Sequence, residues 1–247
     1  MKVINANELI DKERTSTRDP GAGAVHGPNQ TRLFATTDHV HLHGRRSAWL
    51  ASQVGSRLAL PPERIRSIAM AALTHDLGKC ALPAAVLDKP GPLTRAERIL
   101  VERHCQIGAG MLLADAPSDT NASTSDAIAA VLSHHEWWNG RGYPFGLSGH
   151  AIPRCARIVA VADVFDALCS ARPYKSAWTV PAAVDHIVSL RGAQFEPDCV
   201  DALVEVARDL PASWQAIANS GPIFAVPDVI WPGADRRRQS PAHCPTA

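Results

Sequence analysis

Residues 71–79 read Ala-Ala-Leu-Thr-His-Asp-Leu-Gly-Lys, and the interpretation of the whole chain depends on this stretch. An apolar helical run ends in the adjacent His75 and Asp76, and Gly78 can end the helix. An imidazole beside a carboxylate suits a divalent transition metal, and Lys79 just beyond could hold a phosphate. Alone, the pair is equally compatible with an ordinary polar surface, so its meaning depends on the rest of the sequence.

The composition of the 247-residue chain is that of a substantial globular domain, with 46% apolar and 20% charged residues. Its net charge of +1 gives no electrostatic preference for nucleic acid. No apolar run approaches the about 18 residues of a membrane span, and the N-terminal sequence lacks the apolar core of a signal peptide. We therefore expect a cytoplasmic protein without nucleic-acid or membrane partners. The six cysteines form no C-x-x-C pair and are expected to be free core thiols.

The chain divides into three parts by composition. Residues 1–34 are predicted to be an N-terminal segment and linker, because residues 15–31 are rich in Gly, Pro, Ser and Thr. Residues 35–210 carry apolar residues at helical spacing and no strand-like alternation of useful length. Residues 211–247 are interrupted by prolines and are predicted to form a C-terminal strap, in which Trp214 can dock, and a loose tail.

The helical spacing predicts an all-α bundle of about seven helices. The sequence from Thr94 to Glu97 has the spacing of a capping box, so one helix is expected to begin there and run to about Asp115. The almost wholly apolar segment 154–168 is predicted to be the central buried helix. The remaining helices are expected at about residues 37–58, 62–76, 125–135, 181–190 and 197–210.

Several histidines and aspartates interrupt the apolar pattern of these helices. A buried histidine or aspartate is costly unless it is paired or bound to a metal, so such residues must compensate one another. A bundle can bring side chains from separate helices to one cavity, and this many ligands imply at least two metals that share a bridge. The set consists of His43, His75, Asp76, His104, His134, His135 and Asp163.

Residues 43–205 resemble the HD-GYP family, the cyclic di-GMP phosphodiesterase branch of the HD metal-dependent phosphohydrolases. Both the order and the spacing of the family motifs match, and the resemblance implies an HD-type helical bundle with a metal centre in its core. The matching residues are His43-x-x-Arg46, His75-Asp76-Leu77-Gly78-Lys79, His104, His134-His135-Glu136, Gly142-Tyr143-Pro144, the segment Ala162–Leu168 with Asp163 and Asp166, and Arg172-Pro173-Tyr174-Lys175.

The resemblance also implies a role for each matching residue. His43, His75, Asp76 and Asp163 fall on the metal-binding quartet of HD hydrolases, with Asp76 as the bridge. Further ligands, for a second metal, are implied at His104, His134 and His135. Catalysis is implied for Asp76 and for Lys79, which falls beside the attacked phosphate. Substrate contacts are implied for Lys79, for Arg172 and Lys175 on the phosphates of the dinucleotide, and for Gly142, Tyr143 and Pro144 at the lip of the site.

Two divalent ions, with iron or manganese most expected, are implied as cofactors. A metal-activated hydroxide would open cyclic di-GMP to pGpG. Family members with three metals carry a glutamate one helical turn before the first histidine, and this chain has His39 there. A histidine can also be a ligand, so a third ion at His39, and GMP as the final product, both stay open.

Two other functions are compatible with the motifs. One is a catalytically weak module that senses a cyclic dinucleotide or docks on a diguanylate cyclase through the loop from Gly142 to Pro144. The other is an HD hydrolase for another phosphoester, such as a hybrid cyclic dinucleotide. The intact ligand set favours the enzyme, because a pure docking module has no need for buried metal ligands.

Overall fold

The computed structural model describes residues 38–116, 122–171, 176–210 and 214, with side chains from residue 42 onward in the first range and from residue 124 onward in the second. These residues form helices and contain no β-strand beyond two isolated bridges, which confirms the predicted all-α class. Within the described ranges, no helix has the length and apolar character needed to cross a membrane. The predicted N-terminal segment 1–34 lies outside the described residues.

The described residues contain nine α-helices, and one connection, residues 134–153, is much longer than a tight turn. Two 3-10 helices, Leu77–Ala81 and Gly149–Ala151, lie in the connections. The α-helices are α1 Asp38–Arg57, α2 Pro62–Thr74, α3 Ala84–Leu87, α4 Arg95–Glu102, α5 His104–Asp115, α6 Ala122–Ser133, α7 Arg154–Cys169, α8 Val180–Ser189 and α9 Pro197–Arg208.

Helix α7 is the centre of the bundle, as the apolar segment 154–168 predicts. It packs against α1, α2, α6, α8 and α9, and its polar residues Asp163 and Asp166 are buried with the apolar ones. Trp214 is also fully buried, with its ring centroid 5.5 Å from that of Trp49 on α1. The predicted docking of Trp214 is therefore confirmed, whereas the rest of residues 211–247 lies outside the described part of the chain.

The helix expected from Thr94 to Asp115 is in fact two helices, and this part of the prediction is wrong. The capping box is present: Thr94 Oγ1 accepts the N–H of Glu97, and the Glu97 carboxylate accepts the N–H of Thr94 at 2.7 Å. The break comes at Arg103, between α4 and α5. Arg103 keeps helical dihedral angles, φ −68° and ψ −14°, so the apolar pattern runs through the break and cannot show it.

Helix α2 ends at Thr74, so His75 and Asp76 lie just past its end and not in its last turn. The 3-10 helix that follows packs against the start of α5 with almost no space between the backbones. A Cβ atom added to Gly78 would lie 2.0 Å from the carbonyl oxygen of His104. Gly78 therefore permits this close approach, which holds the chain after Asp76 against His104.

The Gly78→Ala substitution is expected to lower the free energy of unfolding by about 2 to 3 kcal/mol, because the two backbones must separate. Gly110→Ala is the matched control, since Gly110 lies in α5 and an added Cβ there meets nothing within 4 Å. The control should be neutral or stabilised by about 0.5 to 1 kcal/mol. Urea denaturation measures both, and equal stabilities would contradict the close-packing argument.

Candidate metal centre

Helices α1 and α7 and the segment just after α2 bring together the first four predicted ligands. His43 Nε2 lies 2.9 Å from Asp163 Oδ1, and His75 Nε2 lies 3.5 Å from the same oxygen. Asp76 Oδ2 is 3.4 Å from His75 Nε2. All four side chains are at least largely buried, so the bundle forms one compact polar group inside an otherwise apolar core.

The other three histidines form a second group directly beside the first. His104 Nε2 lies 3.3 Å from His134 Nε2, and the His135 ring centroid is 4.1 Å from that of His134. The two groups meet at Asp76, because its Oδ1 atom is 3.5 Å from His104 Nε2 while its Oδ2 atom faces His75. The structure thus brings all seven residues of the predicted set into one continuous cluster.

Three of these histidines follow the last turn of a helix and make the same hydrogen bond. The last carbonyl groups of a helix have no partner within it, and each ring donates its Nδ1–H to such a carbonyl three residues earlier. Because a carbonyl only accepts, each Nδ1 carries a hydrogen and each Nε2 atom points into the cluster, where the neutral rings of His104 and His134 present a lone pair. The pairs are His75 with Ala72, His104 with Val101 and His134 with Val131, each at 2.7 Å.

The acceptor atoms that face into the cluster outnumber the hydrogen atoms available to them. His104 Nε2 and His134 Nε2 face each other at 3.3 Å although both are acceptors. His75 Nε2 and Asp76 Oδ1 are buried and have no hydrogen-bond partner. A buried polar atom without a partner costs about 1 to 3 kcal/mol, so this arrangement is unfavourable by itself. Divalent cations would satisfy all four atoms at once, and the residues present therefore fit a metal centre.

Charge states favour ligation in the second group. Burial, followed by the neighbouring histidines, lowers the pKa of His134 well below its usual value. Burial likewise lowers the pKa of His104 and brings that of His135 to about 4. All three imidazoles are therefore neutral near pH 7, which is the form that binds a metal.

In the first group the carboxylates govern the charge states. Burial lowers the pKa of His75, but Asp76 and Asp163 outweigh it and the net shift is strongly upward. Burial would raise the pKa of Asp76, but Lys79 and His75 hold it well below its usual value. Both carboxylates stay ionised, and Lys79 Nζ contacts Asp76 Oδ2 at 2.6 Å.

Asp166 orients His43 and does not face the cluster. Its carboxylate accepts the Nδ1–H of His43 at 2.6 Å and a hydrogen bond from Arg46 Nε at 2.7 Å, and it is fully buried. Arg46 also donates to Ser170 Oγ at 2.9 Å. The sequence places Arg46 in a motif but does not show its partner. Its position three residues after His43, on nearly the same helix face, is the signal that could have revealed it.

Glu136 holds the predicted lip loop in place. It is buried, and its two carboxylate oxygens accept the N–H groups of Phe145 at 2.6 Å and Leu147 at 2.9 Å. Tyr143 donates its N–H to the carbonyl of His135 at 3.1 Å, and the two ring centroids are 4.8 Å apart. The loop that contains Gly142, Tyr143 and Pro144 therefore lies beside the second histidine group.

Three other predicted site residues cannot be placed. Arg172 and Lys175 lie outside the described residues. The backbone of His39 lies in α1, but its side chain also lies outside the described part.

One residue that was not predicted also joins the site: Cys105 has its Sγ atom 3.5 Å from His104 Nε2. Its position directly after the predicted ligand His104 is the signal that could have revealed it.

Known proteins share this architecture. The sequence profile of the HD domain family matches residues 30–199. The chain is 49% identical over 202 residues to the cyclic di-GMP phosphodiesterase response regulator RpfG of Xanthomonas campestris, covering 82% of this chain and 50% of that protein. It is 36% identical over 163 residues to 3′3′-cGAMP-specific phosphodiesterase 2 of Vibrio cholerae, covering 66% of this chain and 30% of that protein.

A solved structure supports the fold independently. The chain superposes on Bd1817 of Bdellovibrio bacteriovorus, described as a HDG"Y"P protein, with a TM-score of 0.54 and 21% identity. The match covers 70% of this chain and 54% of that one. This likeness confirms the expected HD-type helical fold. The chain spans half or less of the length of the two relatives described above.

The Asp166→Ala substitution is expected to destabilise the protein by about 3 to 5 kcal/mol, because it leaves the buried Arg46 guanidinium without its counter-ion. Asp201→Ala is the matched control, since Asp201 pairs with Arg191 at 2.7 Å on the surface. The control should cost less than about 1 kcal/mol. Urea denaturation in the presence of a chelator removes any metal contribution, and similar losses for the two variants would contradict this assignment.

Proposed function

Because this chain belongs to the HD domain family, in its HD-GYP branch, we propose that it is a metal-dependent phosphodiesterase that opens cyclic di-GMP to pGpG. The observation that carries the proposal is the buried cluster in which His75 Nε2 and Asp76 Oδ1 lack hydrogen-bond partners and the Nε2 atoms of His104 and His134 face each other. Such a cluster is costly in a protein that binds no cation, and cations are what phosphoester hydrolysis at neutral pH requires.

In this proposal one ion is held by His43, His75 and Asp163 and the other by His104, His134 and His135, with Asp76 between them. The position of the Asp76 carboxylate supports a bridging role, since one of its oxygens faces His75 and the other faces His104. Iron or manganese fits the mixed imidazole and carboxylate donors. When bound, two such ions supply Lewis acidity and an activated hydroxide near neutral pH.

Lys79 is proposed to contact the attacked phosphate. Its ammonium group lies 2.6 Å from Asp76 Oδ2, and its side chain is partly exposed while Asp76 is nearly buried. This places a positive charge at the rim of the cluster, where a phosphate can approach from solvent. There it would stabilise the additional negative charge that develops on the phosphoryl oxygens.

The remaining substrate contacts are proposed from the family resemblance. Arg172 and Lys175 would hold the phosphates of the cyclic dinucleotide. Tyr143 would shape the lip, because its ring packs beside that of His135 at the edge of the second group. Glu136 acts on this loop through the backbone and is proposed to keep the lip in a fixed position.

We also propose the cytoplasm as the location and residues 35–210 as the catalytic unit, with 1–34 and 211–247 as flanking segments.

The second candidate function is a catalytically weak module that senses the nucleotide or docks on a diguanylate cyclase through the lip loop. It is favoured by the exposure of Gly146 and Arg141 around that loop, which leaves the lip open to a partner.

The decisive assay incubates anaerobically purified, metal-loaded protein with cyclic di-GMP and, separately, with 3′3′-cGAMP. We expect pGpG from cyclic di-GMP. The His75→Ala/Asp76→Ala variant should lose at least about 100-fold in rate, since even residues that only orient metal ligands contribute about 10- to 100-fold. The control is His150→Ala, whose exposed side chain lies away from the cluster beside Arg157.

Metal content is measured on the same samples by mass spectrometry. A wild-type protein that contains two metals and yields no product from either nucleotide would overturn the enzymatic proposal and favour the sensing module. Product from 3′3′-cGAMP alone would keep the phosphodiesterase chemistry and change the substrate.

A separate prediction concerns the number of ions and the final product. With His39 in place of the family glutamate, we expect two ions per chain and a reaction that stops at pGpG. His39→Glu should supply the missing carboxylate, raise the metal content by about one ion and allow conversion of pGpG to GMP. Three ions and GMP in the wild type would show that His39 is itself an adequate ligand.

A further inference from the structure

Cys105 differs from the buried Cys155 and Cys199 in what its sulfur contacts. The thiol of Cys155 donates to the carbonyl of Asp126 at 3.1 Å, and that of Cys199 contacts the Glu196 carboxylate at 3.1 Å. Cys105 is fully buried at the start of α5, and its Sγ atom faces the histidine cluster. Metal-ligand atoms of His104, Cys105, His134 and His135 all lie within 4.8 Å of one another.

Two of the distances in this group match the edges of a tetrahedral site. With metal–nitrogen bonds of about 2.1 Å and metal–sulfur bonds of about 2.3 Å, the edges are about 3.4 Å between two nitrogens and about 3.6 Å between nitrogen and sulfur. The observed separations are 3.3 Å between His104 Nε2 and His134 Nε2, and 3.5 Å between Cys105 Sγ and His104 Nε2. Both separations are compatible with ligands that share one cation, and the other ligand atoms of the group lie within 4.8 Å.

A hydrogen bond from the thiol to His104 cannot by itself explain the arrangement. The thiol has one hydrogen, which can serve only one of the two facing Nε2 atoms. The lone pair of His134, whose Nδ1–H is already donated to Val131, would still point at that of His104. One cation between the rings and the sulfur satisfies every lone pair together.

We propose that Cys105 is a further ligand of the second metal, bound as a thiolate beside His104, His134 and His135. The inference rests on the proposed metal centre. On binding, the S–H bond breaks, its proton leaves to solvent and a sulfur–metal bond forms. A thiolate among imidazoles favours iron or zinc over manganese in this position, so Cys105 is a metal-selecting residue.

The test loads the full chain anaerobically with cobalt(II), counts the bound ions and records the absorption spectrum. Wild-type protein is expected to show a near-ultraviolet thiolate-to-cobalt charge-transfer band. Cys105→Ser should lose this band while it retains two cobalt ions, and its affinity for zinc relative to manganese should fall roughly tenfold. Cys155→Ser is the control and should keep both the band and the ratio.

Wild-type protein that binds two cobalt ions without the band would overturn the thiolate assignment and leave the proposed function intact. Protein that binds no ion would overturn both. X-ray absorption on the wild type tests the proposal without a variant, because a sulfur neighbour at about 2.3 Å must be found at one of the metals. Its absence would refute the proposal even if Cys105→Ser failed to fold.

Discussion

The structure depends on a buried group of ring nitrogens and carboxylate oxygens, some of which receive no hydrogen bond. Imidazole nitrogens and carboxylate oxygens from different helices converge in a buried space, and the bundle holds His104 Nε2 and His134 Nε2 at 3.3 Å although both are acceptors. Keeping them close requires helices that almost touch. A Cβ added to Gly44 would lie 2.7 Å from the Leu73 carbonyl oxygen, just as Gly78 meets α5. The glycines at these contacts let the backbones approach closely, so the positions of the cluster residues depend on these glycines.

Helix ends supply both the positions and the orientation of the ligands. His75, His104 and His134 each follow a helix and donate to one of its last carbonyl groups. This hydrogen bond fixes the ring and turns its other nitrogen inward. The interruption at Arg103 lets His104 follow a helix end in the same way as the other two histidines.

The sequence predicted what depends on residue type and periodicity. The all-α class, the central position of α7, the capping box at Thr94 and the membership of the polar cluster all follow from such patterns. It could not show features that depend on distance between separate elements. The break at Arg103 preserves helical dihedrals, Gly78 signals a helix end as readily as a close contact, and the position of Cys105 after His104 does not show which way its sulfur points.

The contact between His43 and Asp163 joins residues 120 positions apart in the chain. The described cysteines are all free, so no disulfide joins these distant positions. An ion held by both residues would bind the folded chain alone, because the ligands are far apart once the chain unfolds, and its binding free energy would add to the stability of the fold. The supply of metal would then set how long the folded protein persists.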